Sequence, residues 1–223
     1  ELKRRTGYNT WFLHELLECA EFEKQLAAKG GSGSSGGSGG PAADALTPKL
    51  LLEAKQYGLS DARIGMLCGR AETEIRRLRR EGGVEASYHI VDTCAGECQA
   101  ETPYYYGTFG EIDETRPSEK RGVIILASGP NRIGQGLEFV TCCTLASLAY
   151  RKQGVETVIV NTNPETVSTD FNVSDKLYIE PLTHEAVLEI MKKEQIGQVL
   201  LQLGGQTPLN MAGDLIAGGA EIV

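Results

Sequence analysis

The chain has 223 residues, which is enough for two small domains. Its formal net charge of −8 argues against a dedicated surface for nucleic acid or for anionic membranes, and no apolar stretch approaches the roughly 18 residues that cross a bilayer. The six cysteines are too few and too irregularly spaced for a disulfide framework. Composition therefore favours a cytoplasmic enzyme, or an organellar enzyme if the source is a eukaryote. The strand-like pattern at 221–223 indicates that the sequence is a piece of a longer protein.

Residues 1–85 have the pattern of an all-α helical domain. Apolar residues recur at helical spacing from Thr10 onwards and form one stripe, which needs a partner surface. Thr47 and Ser60 are plausible N-caps of the helices that follow, and glycines end them. These helices are predicted over residues 49–57, 61–68 and 71–81.

Two segments lack a periodic pattern. Residues 30–40 consist of glycine and serine alone, so they interrupt the helical domain as a linker without fixed geometry. Residues 86–120 contain scattered glycines and prolines and three consecutive tyrosines at 104–106. We expect an ordered connector whose tyrosines dock on a neighbouring surface.

From residue 121 the pattern alternates between strand and helix. Strands are predicted over 122–127, 156–160 and 198–203, helices over 135–152, 184–194 and 208–217, and a short extended piece over 177–179. Such alternation indicates a parallel sheet with helices on both faces. The predicted architecture is therefore an all-α domain followed, after the connector, by a truncated, Rossmann-like α/β domain over 121–223.

Three polar loops rich in glycine or proline follow predicted strands, at 129–136, 161–166 and 204–207. Ligands of open parallel sheets bind at the carboxyl ends of the strands, so we expect these loops to converge on one crevice. Arg132 could pair there with a carboxylate or a phosphate. The structural alternative is that the glycines only permit tight packing and that Arg132 pairs with Glu138.

The sequence lacks the motifs of three common binding sites: the dinucleotide-binding loop, the P-loop and the four-ligand metal site. The glycines at 129, 134 and 136 do not fit the G-x-G-x-x-G pattern of dinucleotide folds, and no Lys-Ser/Thr pair follows them as in a P-loop. Cys94 and Cys98 lack a second pair that would complete a four-ligand metal shell. We therefore predict no metal site, and because nothing in the sequence resembles a Ser-His-Asp set we predict no catalytic residue.

The amino-acid sequences of these loops resemble those of a known protein family. Residues 129–136 read GPNRIGQG, residues 163–170 read NPETVSTD and residues 204–210 read GGQTPLN. Together with the VDTC segment at 91–94 and the helices over 60–80, they resemble the large subunit of carbamoyl phosphate synthetase. The resemblance implies an oligomerisation domain followed by the pre-ATP-grasp domain of the second synthetase half.

By that resemblance, the intact enzyme makes carbamoyl phosphate for arginine and pyrimidine synthesis from bicarbonate, ammonia or glutamine, and two ATP. The ATP-grasp domain, with its ATP and its Mg or Mn ions, would lie beyond Val223, so the chain alone should bind no cofactor and be inactive. The implied partners are the rest of the large subunit, a glutaminase subunit or domain, and further copies through the helical region. Neither nucleic acid nor membrane is an implied partner.

The family passes carbamate through an internal conduit that these loops wall in part. The resemblance implies that the conduit is lined by Arg132, Gly136, Glu138 and Glu165. The residues that would support the loops are Gly129, Asn131, Gly134, Asn163, Gly204, Gly205, Gln206 and Thr207. Two departures from the family pattern are Val140-Thr141, where Asp-Tyr is common, and Ala127-Ser128, which replaces a glycine pair and predicts a stiffer turn.

One alternative belongs to another class of protein. Residues 60–80 also fit a helix-turn-helix module with a basic second helix, attached to a Rossmann-like domain. Arg76, Arg77, Arg79 and Arg80 could then contact nucleic-acid phosphates. The structural alternative is that these arginines are solvated or bridge to acidic neighbours.

Overall fold

The computed structural model describes residues 1–30, 46–127 and 135–223, and within the last range it describes the side chains from 139 onwards. The chain divides into two compact units, Glu1–Glu85 and Ala86–Val223. No helix in the described ranges is long and apolar enough to cross a membrane.

The first unit is helical. Its helices are α1 (Leu2–Thr6), α2 (Thr10–Gly30), α3 (Pro48–Gln56), α4 (Asp61–Cys68) and α5 (Glu72–Glu81). The predicted caps are confirmed, because the hydroxyl of Thr47 accepts the Leu50 N–H at 3.3 Å and that of Ser60 accepts the Arg63 N–H at 3.1 Å. The short helix α1 was not predicted.

The core of this helical unit leaves much of α2 uncovered. Phe22 and Leu26 of α2 are buried with residues of α3, α4 and α5. The amino-terminal half of α2 instead exposes apolar side chains, which we call the exposed stripe. It consists of Trp11, Phe12, Leu16 and Leu17 together with Tyr8, which lies just before the helix, and each of these residues is at least 50% exposed.

The arginines of α5 are paired within the chain, and the helix-turn-helix alternative is not supported. Arg79 is fully buried and contacts Asp61 at 3.1 Å and the Val84 carbonyl at 2.8 Å. Arg76 and Arg77 pair with Glu72 and Glu81, at 2.7 and 2.8 Å. Because carboxylates of the same unit hold these guanidinium groups, they bridge acidic neighbours and do not form a phosphate-binding face.

The second unit is an α/β layer around one sheet. Its strands are β1 (Ser87–Ile90), β2 (Tyr104–Thr108), β3 (Gly122–Leu126), β4 (Glu156–Asn161), β5 (Lys176–Ile179), β6 (Gln198–Leu200) and β7 (Glu221–Ile222). Their order in the sheet is β1-β2-β5-β4-β3-β6-β7. All neighbours are parallel except β1 and β2, which are antiparallel. The predicted parallel α/β layer is thus present, except that its β1–β2 pair is antiparallel.

Helices cover both faces of this sheet. They are α6 (Gln135–Lys152), α7 (His184–Glu194), α8 (Gln206–Asn210) and α9 (Ala212–Ala217). Cys143 of α6 packs with Val123 and Ile125 on one face, whereas Ile190 of α7 and Leu215 of α9 pack with alternate strand residues on the other. The fully buried run of β3 thus supplies side chains to both layers, as a central parallel strand does.

Two expectations for this unit were wrong. Residues 86–120 are not simply a connector, because β1 and β2 lie within them and extend the sheet; Tyr105 of β2 is buried and stacks on Tyr178. The helix expected over 208–217 is two short helices, with Met211 between them. The mixed burial of β1 and β2 explains why no clear alternation marked them in the sequence.

Candidate functional site

The carboxyl ends of three neighbouring strands form the candidate site. In the sheet, β3 lies between β4 and β6, with Leu126 opposite Val160 and Ile125 opposite Leu200. Because these strands are parallel and in close register, the segments that follow them start along one edge. We call this the carboxyl edge.

The loop after β4 is built around Asn161, which is fully buried. Its side-chain oxygen accepts the N–H of Asn163 at 3.1 Å. The side-chain oxygen of Asn163 in turn accepts the N–H of Glu165 at 2.9 Å. These two consecutive side-chain-to-backbone bonds fix the turn, as asparagines do after strands. Glu165 therefore lies in a loop whose backbone is fixed by hydrogen bonds, and it is exposed.

A second set of hydrogen bonds closes this loop. The hydroxyl of Thr169 accepts the Thr166 N–H at 3.2 Å and lies 2.9 Å from the Pro164 carbonyl, to which it can donate. Thr169 is buried within a short 3₁₀ turn, Val167–Thr169. Because one buried side chain holds both ends of the turn, the segment that carries Glu165 has a defined shape.

The loop after β6 depends on two glycines for its close contacts. A Cβ atom on Gly204 would overlap with the carbonyl oxygen of Leu126 and lie 2.7 Å from Pro208 Cγ. Gly205 has φ 82° and ψ −159°, a conformation that side-chain-bearing residues rarely adopt, and it lies against the ring of Phe139. Gly204 therefore allows the β6 loop to contact the end of β3.

Helix α6 joins the neighbouring loops. It packs against both the Val167–Thr169 turn and the Gln202–Gly204 turn. Its first turn contains Gly136 and is followed by Glu138. Four predicted residues lie outside the described residues, namely Gly129, Asn131, Arg132 and Gly134. The structure thus brings Gly136 and Glu138, by their position in α6, to the same edge as Glu165, Asn163 and the Gly204–Gly205 pair.

The two remaining predicted residues lie in α8. Gln206 is exposed, and its side-chain amide donates to Asn210 Oδ1 at 2.7 Å. Thr207 is half-buried in the same first turn. They follow the glycine turn at the edge, and Gln206 is bonded within its own helix.

Glu180 also lies at this edge, and it was absent from the predicted set. It follows β5 directly, its N–H donates to the Asn161 carbonyl at 3.2 Å, and its half-buried carboxylate accepts the N–H of Gly107. Burial raises the pKa of this carboxyl, and the bond from Gly107 opposes the rise. The strand-end criterion that selected Asn163 and Glu165 applies equally to Glu180, because it follows the predicted extended piece at 177–179.

The chemistry of the described part of the edge is that of a polar wall. It offers carboxylates, side-chain amides and backbone N–H groups beside close-packed glycines. In the described ranges, no group of three or more His, Cys, Asp or Glu side chains is arranged to hold a metal ion.

Replacing Gly204 by alanine should destabilise the α/β unit. The new methyl group would meet the backbone of β3, which cannot move aside as a flexible side chain can. We expect a loss of about 1–3 kcal/mol in the free energy of unfolding, measured by urea denaturation. Gly213 is the matched control, because it lies in α9 with no atom within 4 Å of its Cβ position. Gly213→Ala should be neutral or stabilising, and equal losses in the two variants would contradict the packing at Gly204.

Comparison with known proteins assigns both units. A family model described as the carbamoyl phosphate synthase preATP-grasp domain matches residues 119–223. A second, described as the carbamoyl-phosphate synthetase large chain oligomerisation domain, matches residues 1–83. Strands β1 and β2 lie between the two matches, although they belong to the α/β unit.

Relatives match the chain from end to end. It is 43% identical to the carbamoyl phosphate synthase large chain of Archaeoglobus fulgidus and 44% identical to that of Methanothermobacter thermautotrophicus, each over 100% of this chain and 20% of the relative. Identity to the large chain of Kineococcus radiotolerans is 46%, over 100% of this chain and 19% of the relative. The chain thus spans about a fifth of the length of these relatives, and it belongs to the carbamoyl phosphate synthase large-chain family.

Proposed function

We propose that the chain is the central part of a carbamoyl phosphate synthase large subunit. The helical unit contributes assembly contacts, and the α/β unit is the scaffold that opens the second synthetase half. The observation that carries this proposal is the joint match of an oligomerisation model and a preATP-grasp model to one chain whose strand-end loops share one edge.

The activity belongs to the intact enzyme. It combines bicarbonate with ammonia, delivered from glutamine by a glutaminase subunit or domain, and consumes two ATP to form carbamoyl phosphate. ATP and its Mg or Mn ions are held by ATP-grasp domains outside this chain. The chain alone binds none of these groups and turns over no ATP.

The carboxyl edge walls part of the conduit through which carbamate travels. Arg132, Gly136, Glu138 and Glu165 are its proposed lining. Carbamate is a labile anion, so its path must solvate it without binding it tightly. Water held by carboxylates and amides solvates the anion. The negative charge of the glutamates prevents tight binding of carbamate, and the guanidinium group of Arg132 offsets part of their repulsion. The ordered turn from Asn161 to Thr169 supports this role, because it holds Glu165 in a fixed position.

The exposed stripe of α2 supports the role in assembly. Its aromatic and leucine side chains are exposed and close together in the sequence, and exposed apolar groups that occur together mark interaction sites. It lies inside the region that the oligomerisation model matches. We infer that the exposed stripe is covered in the assembled large subunit, by another part of the subunit or by a second copy.

A chimeric enzyme tests the proposed function. The chain replaces its aligned segment in the Archaeoglobus fulgidus large chain, to which it is 43% identical. We expect the purified chimera, with its glutaminase, to form carbamoyl phosphate and to sediment in the same oligomeric state as the parent, whereas the isolated chain hydrolyses no ATP. A folded chimera that hydrolyses ATP at both synthetase halves but forms no carbamoyl phosphate would refute the scaffold role. ATP hydrolysis by the isolated chain would refute the proposal that ATP is bound only by ATP-grasp domains outside this chain.

A further inference from the structure

Glu180 lies where β5 ends and the chain leaves the sheet, with Pro181 directly after it. In the ladder between β2 and β5, Tyr105 lies opposite Tyr178, so Gly107 comes level with Glu180 two residues further on. The carboxylate of Glu180 accepts the N–H of Gly107. It therefore continues the pairing of the two strands with a side chain and fastens the end of β5 to β2.

The backbone of Glu180 is connected to Glu165 by hydrogen bonds. The N–H of Glu180 donates to the carbonyl of Asn161 at 3.2 Å. The side-chain oxygen of Asn161 accepts the N–H of Asn163 at 3.1 Å, and that of Asn163 accepts the N–H of Glu165 at 2.9 Å. The position of Glu180 thus bears on the turn that carries Glu165.

The contact between Glu180 and Gly107 depends on the missing side chain at position 107. A Cβ atom there would lie 2.5 Å from Glu180 Oε1 and 3.2 Å from Cε1 of the buried Tyr88. The carboxylate is the end of a flexible side chain, whereas the tyrosine ring is packed in the core. A methyl group at position 107 would therefore displace the carboxylate first, and the same contact can be broken from either side.

The carboxylate of Glu180 is half-buried, and among the described residues no cation pairs with it. Burying a charge without a cation opposes folding. Groups that oppose folding in this way concentrate at functional sites. The anchored position of Glu180 at the carboxyl edge is therefore a candidate for a role in the activity.

We propose that Glu180 is a positioning residue for Glu165, an inference that rests on the proposed conduit. Its carboxylate fastens β5 to β2, and the fastened backbone holds the carbonyl of Asn161, from which the turn to Glu165 starts. Loss of the bond from Gly107 frees the end of β5, and the displacement reaches Glu165 through the asparagine turn. Glu180 itself contacts no carbamate.

Substitutions on both sides of the contact test this role in the chimeric enzyme. In Glu180→Ala we expect carbamoyl phosphate output to fall about fivefold, the effect of losing one hydrogen bond, while bicarbonate-dependent ATP hydrolysis persists. Glu180→Gln keeps an oxygen that accepts the Gly107 N–H and should restore most of the output. Gly107→Ala leaves the carboxylate in the chain but displaces it, so it should raise the ratio of ATP hydrolysed to product as Glu180→Ala does.

A double variant shows whether Glu180 acts through Glu165. Glu165→Ala with Glu180→Ala should have the same ratio as Glu165→Ala alone, because a positioning residue has no effect once the residue that it positions is gone. Effects of the two changes that multiply would overturn the proposal. Hydrogen exchange in Glu180→Ala should be faster at the amides of Asn163 and Glu165 and unchanged in β3, which separates a local displacement from unfolding.

The same measurements separate this role from the conduit itself. A raised ratio in Glu165→Ala with the parental ratio in Glu180→Ala would overturn the role of Glu180 alone. The parental ratio in both variants would overturn the conduit and this inference with it. If Glu180→Ala does not fold, Gly107→Ala decides: a raised ratio supports the proposal, and the parental ratio overturns it.

Discussion

Asp61→Ala should unfold the helical unit or cost it about 3–5 kcal/mol, the usual penalty for removing one partner of a buried ion pair. The side chains of Asp61 and Arg79 are both fully buried. Arg79 Nε lies 3.1 Å from Asp61 Oδ1, and Lys55 Nζ lies 3.5 Å from the same oxygen. The alanine variant removes from the core the carboxylate that both cations contact. Asp61 also lies in the first turn of α4, where a carboxylate favours the helix.

Hydrogen exchange measured by mass spectrometry resolves this loss locally. Peptides from α3, α4 and α5 should lose protection in Asp61→Ala, whereas peptides from β3 and β4 should keep it. The matched control is Glu81→Ala, because Glu81 pairs with Arg77 at 2.8 Å at the exposed end of α5. That change should alter stability by no more than about 0.5 kcal/mol. Equal protection in the two variants would contradict the idea that the buried contacts of Asp61 with Arg79 and Lys55 stabilise the helical unit.

The cluster around Asp61 also shows where sequence reasoning fails. Asp61 and Arg79 are 18 positions apart and belong to different helices, and charged residues are usually exposed. Nothing in the spacing marks them as buried partners. The caps at Thr47 and Ser60 were predictable, because each depends on contacts within three residues.

The sheet was predictable where its strands are fully buried. All residues of β3 and β4 are buried, so both appear as apolar runs. β2 is half-exposed and packs through Tyr105 against Tyr178, a partner 73 positions away. β6 ends at Leu200, earlier than expected, because the chain turns through Gln202–Gly204 to reach the end of β3. Such long-range contacts leave no local pattern.

The candidate site was predictable in position but not in detail. Polar residues after consecutive parallel strands indicated a shared edge, and the neighbouring order β4-β3-β6 confirms that their strand ends adjoin. The role of Asn161 as the buried centre of its loop was not predicted, because it depends on the turn that its side chain stabilises. Glu180 was missed although it directly follows the predicted extended piece at 177–179, and only its bond from Gly107 depends on a strand that the sequence did not reveal.

Glu165→Ala in the chimeric enzyme should separate ATP consumption from product formation. Loss of this carboxylate removes hydrogen-bonding capacity from the proposed conduit wall without touching an ATP site. We expect carbamoyl phosphate output to fall roughly tenfold, which corresponds to about 1.4 kcal/mol, while bicarbonate-dependent ATP hydrolysis persists. Glu138→Ala should act in the same direction. Glu165→Gln keeps the hydrogen bonds and should recover part of the output.

Glu119→Ala is the matched control for this change. Glu119 is also exposed, but it precedes β3 and therefore lies towards the amino ends of the strands. Its removal should leave product formation unchanged if the carboxyl edge alone faces the conduit.

The ratio of ATP hydrolysed to carbamoyl phosphate formed tests the conduit assignment most directly. It should be measured in the chimera and in its Glu165→Ala, Glu138→Ala and Glu119→Ala variants, with glutamine and bicarbonate saturating. We predict a raised ratio in the first two variants and the parental ratio in the third. A parental ratio in all three, with the variants folded and assembled, would contradict the assignment of the carboxyl edge to the carbamate path.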